Sequence, residues 1–155
     1  MRGWTRGFAA AAMMTFAVVA PAGAQGQPIS GTDLAIELER EAARLQMTSD
    51  GWADAASLYV AAAGHRQHED PQARQDLFMA ANLYHQVGDL ASAVSALESA
   101  GVRALSSGDS VLAAQMFGNA AQIAGEAGLT NDERRLRVRA ADVVYADQAG
   151  APTRG

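Results

Sequence analysis

Between Asp33 and Asp147 the apolar residues recur at helical spacing, and no stretch shows sustained strand-like alternation, so an all-α fold is the one regular solution open to this chain. Leu34, Leu38, Ala42 and Leu45 share one face of a first helix, while Glu37, Glu41 and Arg44 lie off it. Trp52, Ala55, Ala56, Tyr59 and Ala63 do the same for a second. Asp70-Pro71 is a strong start signal, because Asp accepts from free amides and Pro loses nothing in a first turn. The third helix then aligns Leu77, Ala80, Ala81, Tyr84 and Val87. Gly88-Asp89 stops it and caps a fourth, with Leu90, Ala93, Val94, Leu97 and Ala104. Gly108-Asp109 repeats the device for a fifth, with Ala113, Met116, Phe117, Ala120 and Ala124. Thr130 and Glu133 have capping-box spacing and open a sixth through Leu136, Ala140, Val143 and Val144.

The N-terminal segment is of another kind. Arg2 and Arg6 precede an apolar run from Phe8 to Ala20, Pro21 ends the run, and Ala22-Gly23-Ala24 offers small residues to a signal peptidase. Residues 1–24 are therefore expected to be a secretory signal peptide cleaved after Ala24. The run is shorter than the roughly 20 residues that cross a bilayer as a helix, so no stable membrane anchor is expected after cleavage. Export places the mature chain in the periplasm or outside the cell. Residues 25–32, with Gly26, Pro28 and Gly31, read as a flexible leader, 33–148 as the helical domain and 149–155 as a disordered tail. The chain has no cysteine, so in an oxidising compartment its stability must come from helix packing.

Six helices with short connections fit either a compact helical bundle or a stack of hairpins, and internal periodicity favours the stack. Ala81, Tyr84, Gly88, Ala93, Leu97 and Ala100 form a pattern of small and bulky residues around a Gly turn. Ala55, Tyr59 and Ala62 precede Ala93, Leu97 and Ala100 by 38 residues, with the connection from Gln67 to Pro71 taking up the extra length. This pattern resembles the tetratricopeptide repeat (TPR), in which small residues let antiparallel helices approach and bulky ones fill the gap. The resemblance implies a TPR-like α-solenoid of about three antiparallel hairpins. It is strongest in the middle hairpin. In the first, Gln46 and Asp50 stand where the pattern prefers an aromatic and a Gly, and in the last, Glu133 and Arg137 replace Ala and a bulky apolar residue.

Motifs for chemistry are sparse. All twelve basic residues are Arg, so no phosphate loop has its Lys, and no Ser stands at nucleophile-elbow spacing between glycines. The expectation is no enzyme, no cofactor and no metal site. His65 and His68, followed by Glu69 and Asp70, are the one metal-like cluster; the competing reading is a solvated linker, since a structural zinc site needs four protein ligands. The mature chain keeps ten Arg against seventeen acids, a formal charge of −7 that argues against nucleic acid as a partner. Arg134, Arg135, Arg137 and Arg139 make one basic cluster, expected on a solvated face with Asp132, Glu133 and Asp142 as counter-charges.

Two function classes follow. One is a protein–protein adaptor holding a peptide or helix of another exported or envelope protein; the other is an accessory protein binding a small molecule or metal. Self-association as a homodimer is a further expectation for a short repeat array with an uncapped face. The TPR resemblance implies that the first helix of each hairpin lines a concave groove, in the register of Ala43, Ala81 and Ala121. That register points Arg40, Arg44, Gln75, Phe78, Asn82, His85, Gln86, Gln115 and Gln122 into the groove. Such a surface resembles the family's clamps for a peptide carboxylate, with Arg40 and Arg44 toward the negative end. The alternative is that both Arg residues pair with Glu37 and Glu41 along their own helix.

Overall fold

The computed structural model describes residues 29–150, and the punctuation read from the sequence marks most of its helix ends. The helices are α1 (Gly31–Leu45), α2 (Trp52–His65), α3 (Pro71–Gln86), α4 (Leu90–Ser106), α5 (Ser110–Glu126) and α6 (Thr130–Gly150), with a single 3-10 turn at Ser49–Gly51. No strand occurs among the described residues. The expected signal peptide, and residues 151–155 of the expected tail, lie outside them. Helix α1 starts inside the expected leader because Ser30 caps it, its hydroxyl accepting from the Asp33 amide. Helix α6 likewise runs into the expected tail, to Gly150.

Asp70, Asp89 and Asp109 cap α3, α4 and α5, each accepting from the amide of Gln72, Ser92 or Leu112. Gly88, Gly108 and Gly128 have positive φ and stand twenty residues apart. At each, the Gly amide bonds the carbonyl three residues back and the next amide bonds the carbonyl five back, as in Asp89 to Tyr84 at 2.9 Å and Leu129 to Ala124 at 2.8 Å. That left-handed turn satisfies orphan carbonyls and lets the chain reverse. The last instance departs from expectation. Thr130 is the first residue of α6, not its cap, and the Glu133 carboxylate pairs with Arg137 at 2.7 Å. Leu129 occupies the place that Asp holds at the other two turns, where it packs on the core.

Each helix packs chiefly on its neighbours in the chain, α1 on α2 and so on to α6. Alanine dominates the core: Ala55, Ala56, Ala80, Ala93, Ala100, Ala113 and Ala120 are fully buried, and Leu77, Leu97, Phe117 and Leu136 fill the gaps. Burying each of these larger side chains contributes about 1.5–3 kcal/mol. Phe117 of α5 enters the notch left by Gly101 of α4, and the Arg139 guanidinium of α6 lies 4.4 Å from its ring centroid. Arg139 and Arg135 both bond Glu98 of α4, at 2.9 Å for each of the two longer contacts. The basic cluster therefore has a cross-helix partner besides Asp132 and Glu133, and Arg135 holds the Glu98 carboxyl below the usual range.

The end helix differs from expectation. Only α2 lies against α1, so Ala35 and Ala42 are buried while Leu34 and Ala43 are exposed. The register that placed Ala43 with the buried Ala81 and Ala121 holds for α3 and α5 but not for α1. At the junction of the first two hairpins no glycine turn is used. There Arg103 of α4 donates to the carbonyls of Ala63 (2.9 Å) and Gln67 (3.1 Å), closing the C-terminal end of α2.

Candidate functional site

Helices α3 and α5 stand side by side with α4 behind them, leaving an open cleft of about 270 Å³. Phe78, Ala81, Asn82 and His85 line it from α3, Asn119, Gln122, Ile123 and Glu126 from α5, and Leu97 from α4 forms its floor. One helical face supplies each wall, because 78, 82 and 85 and likewise 119, 122 and 126 follow at intervals of three and four. Glu126 accepts from Gln122 at 3.1 Å and lies 3.1 Å from His85 Nε2. Hydrogen bonding to His85, and then to Gln122, holds the Glu126 carboxyl below its ordinary range. Phe78 is 39% exposed, an aromatic surface held open between the amides. The cleft continues past Phe78 to Pro71, Arg74, Gln75, Leu112 and Met116.

Of the residues expected in a groove, Gln75, Phe78, Asn82, His85 and Gln122 are brought together here. Gln86 is exposed near the end of α3 and lines neither stretch of the cleft. Gln115 faces the other side of α5, where it lines a separate cleft with Val144, Asp147 and Gln148 of α6. Arg40 and Arg44 pair with Glu37 and Glu41, the latter at 2.8 Å, as the alternative reading of the sequence had it. Arg40 also lines a second cleft, between α1 and α3. Asn119 and Glu126 were missed, although one turn on either side of Gln122 leads to both.

The second cleft lies over a buried ionic cluster that local patterns do not reveal. Arg66, in the connection between α2 and α3, is only 8% exposed at its side chain. Its Nε donates to Glu39 Oε1 at 3.0 Å, its Nη2 donates to the same oxygen, and its Nη1 donates to Asp70 at 3.2 Å. Asp76 of α3 is fully buried, and its Oδ1 accepts from Gln72 at 3.2 Å. Its Oδ2 lies 3.3 Å from Arg66 Nε but receives no hydrogen bond, because that N–H is directed to Glu39. Burial pushes the Asp76 carboxyl up to about 6, and the nearby Glu39 charge adds to the shift against the opposing pull of Gln72 and Arg66.

His65 and His68 are exposed, and no group of three or more metal-binding side chains converges among the described residues. No described helix is long and apolar enough to cross a membrane. No family model matches the sequence, and no curated protein or solved structure shows significant similarity to it.

Proposed function

We propose that this chain is an exported, non-catalytic interaction module, a TPR-like stack of three hairpins whose α3/α5 cleft holds an extended segment of another exported or envelope protein. The observation that carries this reading is the open cleft with amide side chains on both walls around an exposed aromatic ring. Asn82, Asn119 and Gln122 each carry a donor and an acceptor, which suits the peptide groups of an extended chain, and Phe78 offers a flat apolar contact to its side chains. The hairpins are longer than the 34 residues of the TPR, since Gly88 and Gly128 bracket one helix pair at a spacing of 40. The module is thus TPR-like in the small-and-bulky pattern at its helix contacts and departs from the family in helix length. Because Arg40 and Arg44 are paired within α1, the reading no longer relies on a carboxylate clamp there.

A photo-crosslinking residue at Asn82 or Gln122 of the full-length protein, expressed in its own cell, should trap one protein reproducibly. The same residue at Val138, on the exposed side of α6, serves as the comparison. Equal trapping at Val138 and at the cleft, or trapping at Val138 alone, would sink the cleft as the docking site. Mass spectrometry of this chain, recovered from the same cells, should also show Gln25 as its mature N-terminus.

A further inference from the structure

Three carboxylates, Glu39, Asp70 and Asp76, surround the single guanidinium of Arg66. With all three acids ionised the cluster carries an excess of two negative charges, and burial raises the cost of that excess. The other cation lining the cleft, Arg40, is already offset by an acid of its own helix. Tyr59 of α2 donates its hydroxyl hydrogen to Gln46 Oε1 at 3.4 Å, and Arg40 of α1 is turned to Glu37. The Tyr59 phenol is pushed up by burial, and then by the charges of Asp76 and Glu39, consistent with a strongly negative site.

The cluster opens into the cleft between α1 and α3, whose lining includes Glu39, Gln72 and Asp76 together with the apolar Ile36, Ala43 and Met79. Acceptor capacity remains unused there. The hydrogen bonds of Arg66 to Glu39 end on Oε1, and Gln72 spends its amide N–H on Asp76, leaving Glu39 Oε2 and the Gln72 carbonyl oxygen for another donor. Gln75 lines both this cleft and the α3/α5 cleft beside Phe78, so the two lie on either side of one side chain of α3.

We propose that the α1/α3 cleft receives a lysine side chain of the peptide held in the α3/α5 cleft, its ammonium bonded to Glu39 and Gln72 and its stem lying against Ile36, Ala43 and Met79. This rests on the reading of the α3/α5 cleft as a peptide site. The free acceptors are single oxygens on separate side chains, which match the three diverging donors of an ammonium better than a planar fork. The fork position is already filled by Arg66. Asp76 acts through its field and not by contact, since its free oxygen is shielded from solvent.

The test uses the full-length protein and n-butylammonium as the probe, with n-butanol and n-butylguanidinium as comparisons, read by amide chemical shifts. Butylammonium should give saturable shifts in α1 and α3 around Ile36 and Met79, while butanol gives none and butylguanidinium binds several-fold more weakly. Glu39→Gln should weaken the binding about tenfold. Because that variant also disturbs Arg66, Ala43→Phe provides an independent test: it fills the exposed mouth of the cleft, leaves the ionic cluster intact and should abolish the shifts. Butanol shifts equal to those of butylammonium, or an unchanged affinity in Ala43→Phe, overturn the proposal. Phe78→Ala separates the two readings. It should reduce partner trapping while butylammonium still binds, whereas loss of the lysine site alone would leave trapping dependent on Phe78.

Discussion

Asp76 is the side chain whose environment departs furthest from what its type prefers. An acid raised from 3.8 to about 6 binds its proton more tightly in the folded chain than in the unfolded one. Stability is therefore highest below about pH 4 as far as this group is concerned, falls as pH rises toward 6, and stays at the lower level above it. The loss is on the order of 3 kcal/mol. Asp76→Asn, which keeps an acceptor for Gln72 and gains a donor toward Glu39, should remove that slope and melt higher than wild type at pH 7.5. The difference between the two melting profiles isolates this group from Glu98 and Glu126, whose lowered values confine their effect to more acid conditions. A second pair of substitutions compares two glycines inside helices. A Cβ at Gly101 would meet the buried Phe117 ring at 2.7 Å, whereas one at Gly118 meets nothing within 4 Å. Alanine improves helix propensity by about 1 kcal/mol at either position. At Gly101 the ring is fixed between α4 and Arg139, so overpacking of about 1–3 kcal/mol outweighs that gain. Gly118→Ala should thus raise the denaturant midpoint and Gly101→Ala should lower it.

At the level of helices, the ends carry much of the specification. Removing one cap, by Asp89→Ala or Asp109→Ala, should cost about 1 kcal/mol each in urea unfolding, because the Ser92 or Leu112 amide loses its acceptor. These ends were legible because a Gly-Asp pair acts within one turn of itself. The start of α6 was less so: Gly128 makes the same turn, but Leu129 replaces Asp, and the Thr130–Glu133 spacing imitated a cap that the helix does not use. Buried faces were largely legible where a helix has neighbours on two sides, as with Ala81 and Ala121, although Val87 at the C-terminal end of α3 is exposed. In α1 the same reasoning slipped by one position, since α1 packs on α2 alone and Ala43 faces away from it. The α3 wall of the candidate site could be read from helical spacing. The Arg66 cluster could not, because Glu39 lies 27 residues from Arg66 and reaches it only through the packing of α1 on α2.

Across the whole molecule, packing between chain neighbours has a mechanical counterpart. If the ends are drawn apart, the load meets no pairing of the first helix with the last that would have to shear all at once. The chain should yield like a row of hinged links, the outermost hairpin peeling first and the next holding until its own threshold. Single-molecule stretching should then show successive small steps, each releasing roughly 14 nm of contour for a link of about 40 residues. One event releasing the full length would mean that the links behave as a single block. The joint braced by Arg103 is stitched by side-chain bonds to carbonyls, where the later joints are moulded into the backbone itself. Cutting that stitch with Arg103→Ala should lower the force of one step and leave the others unchanged, making the first hairpin the weakest link under tension.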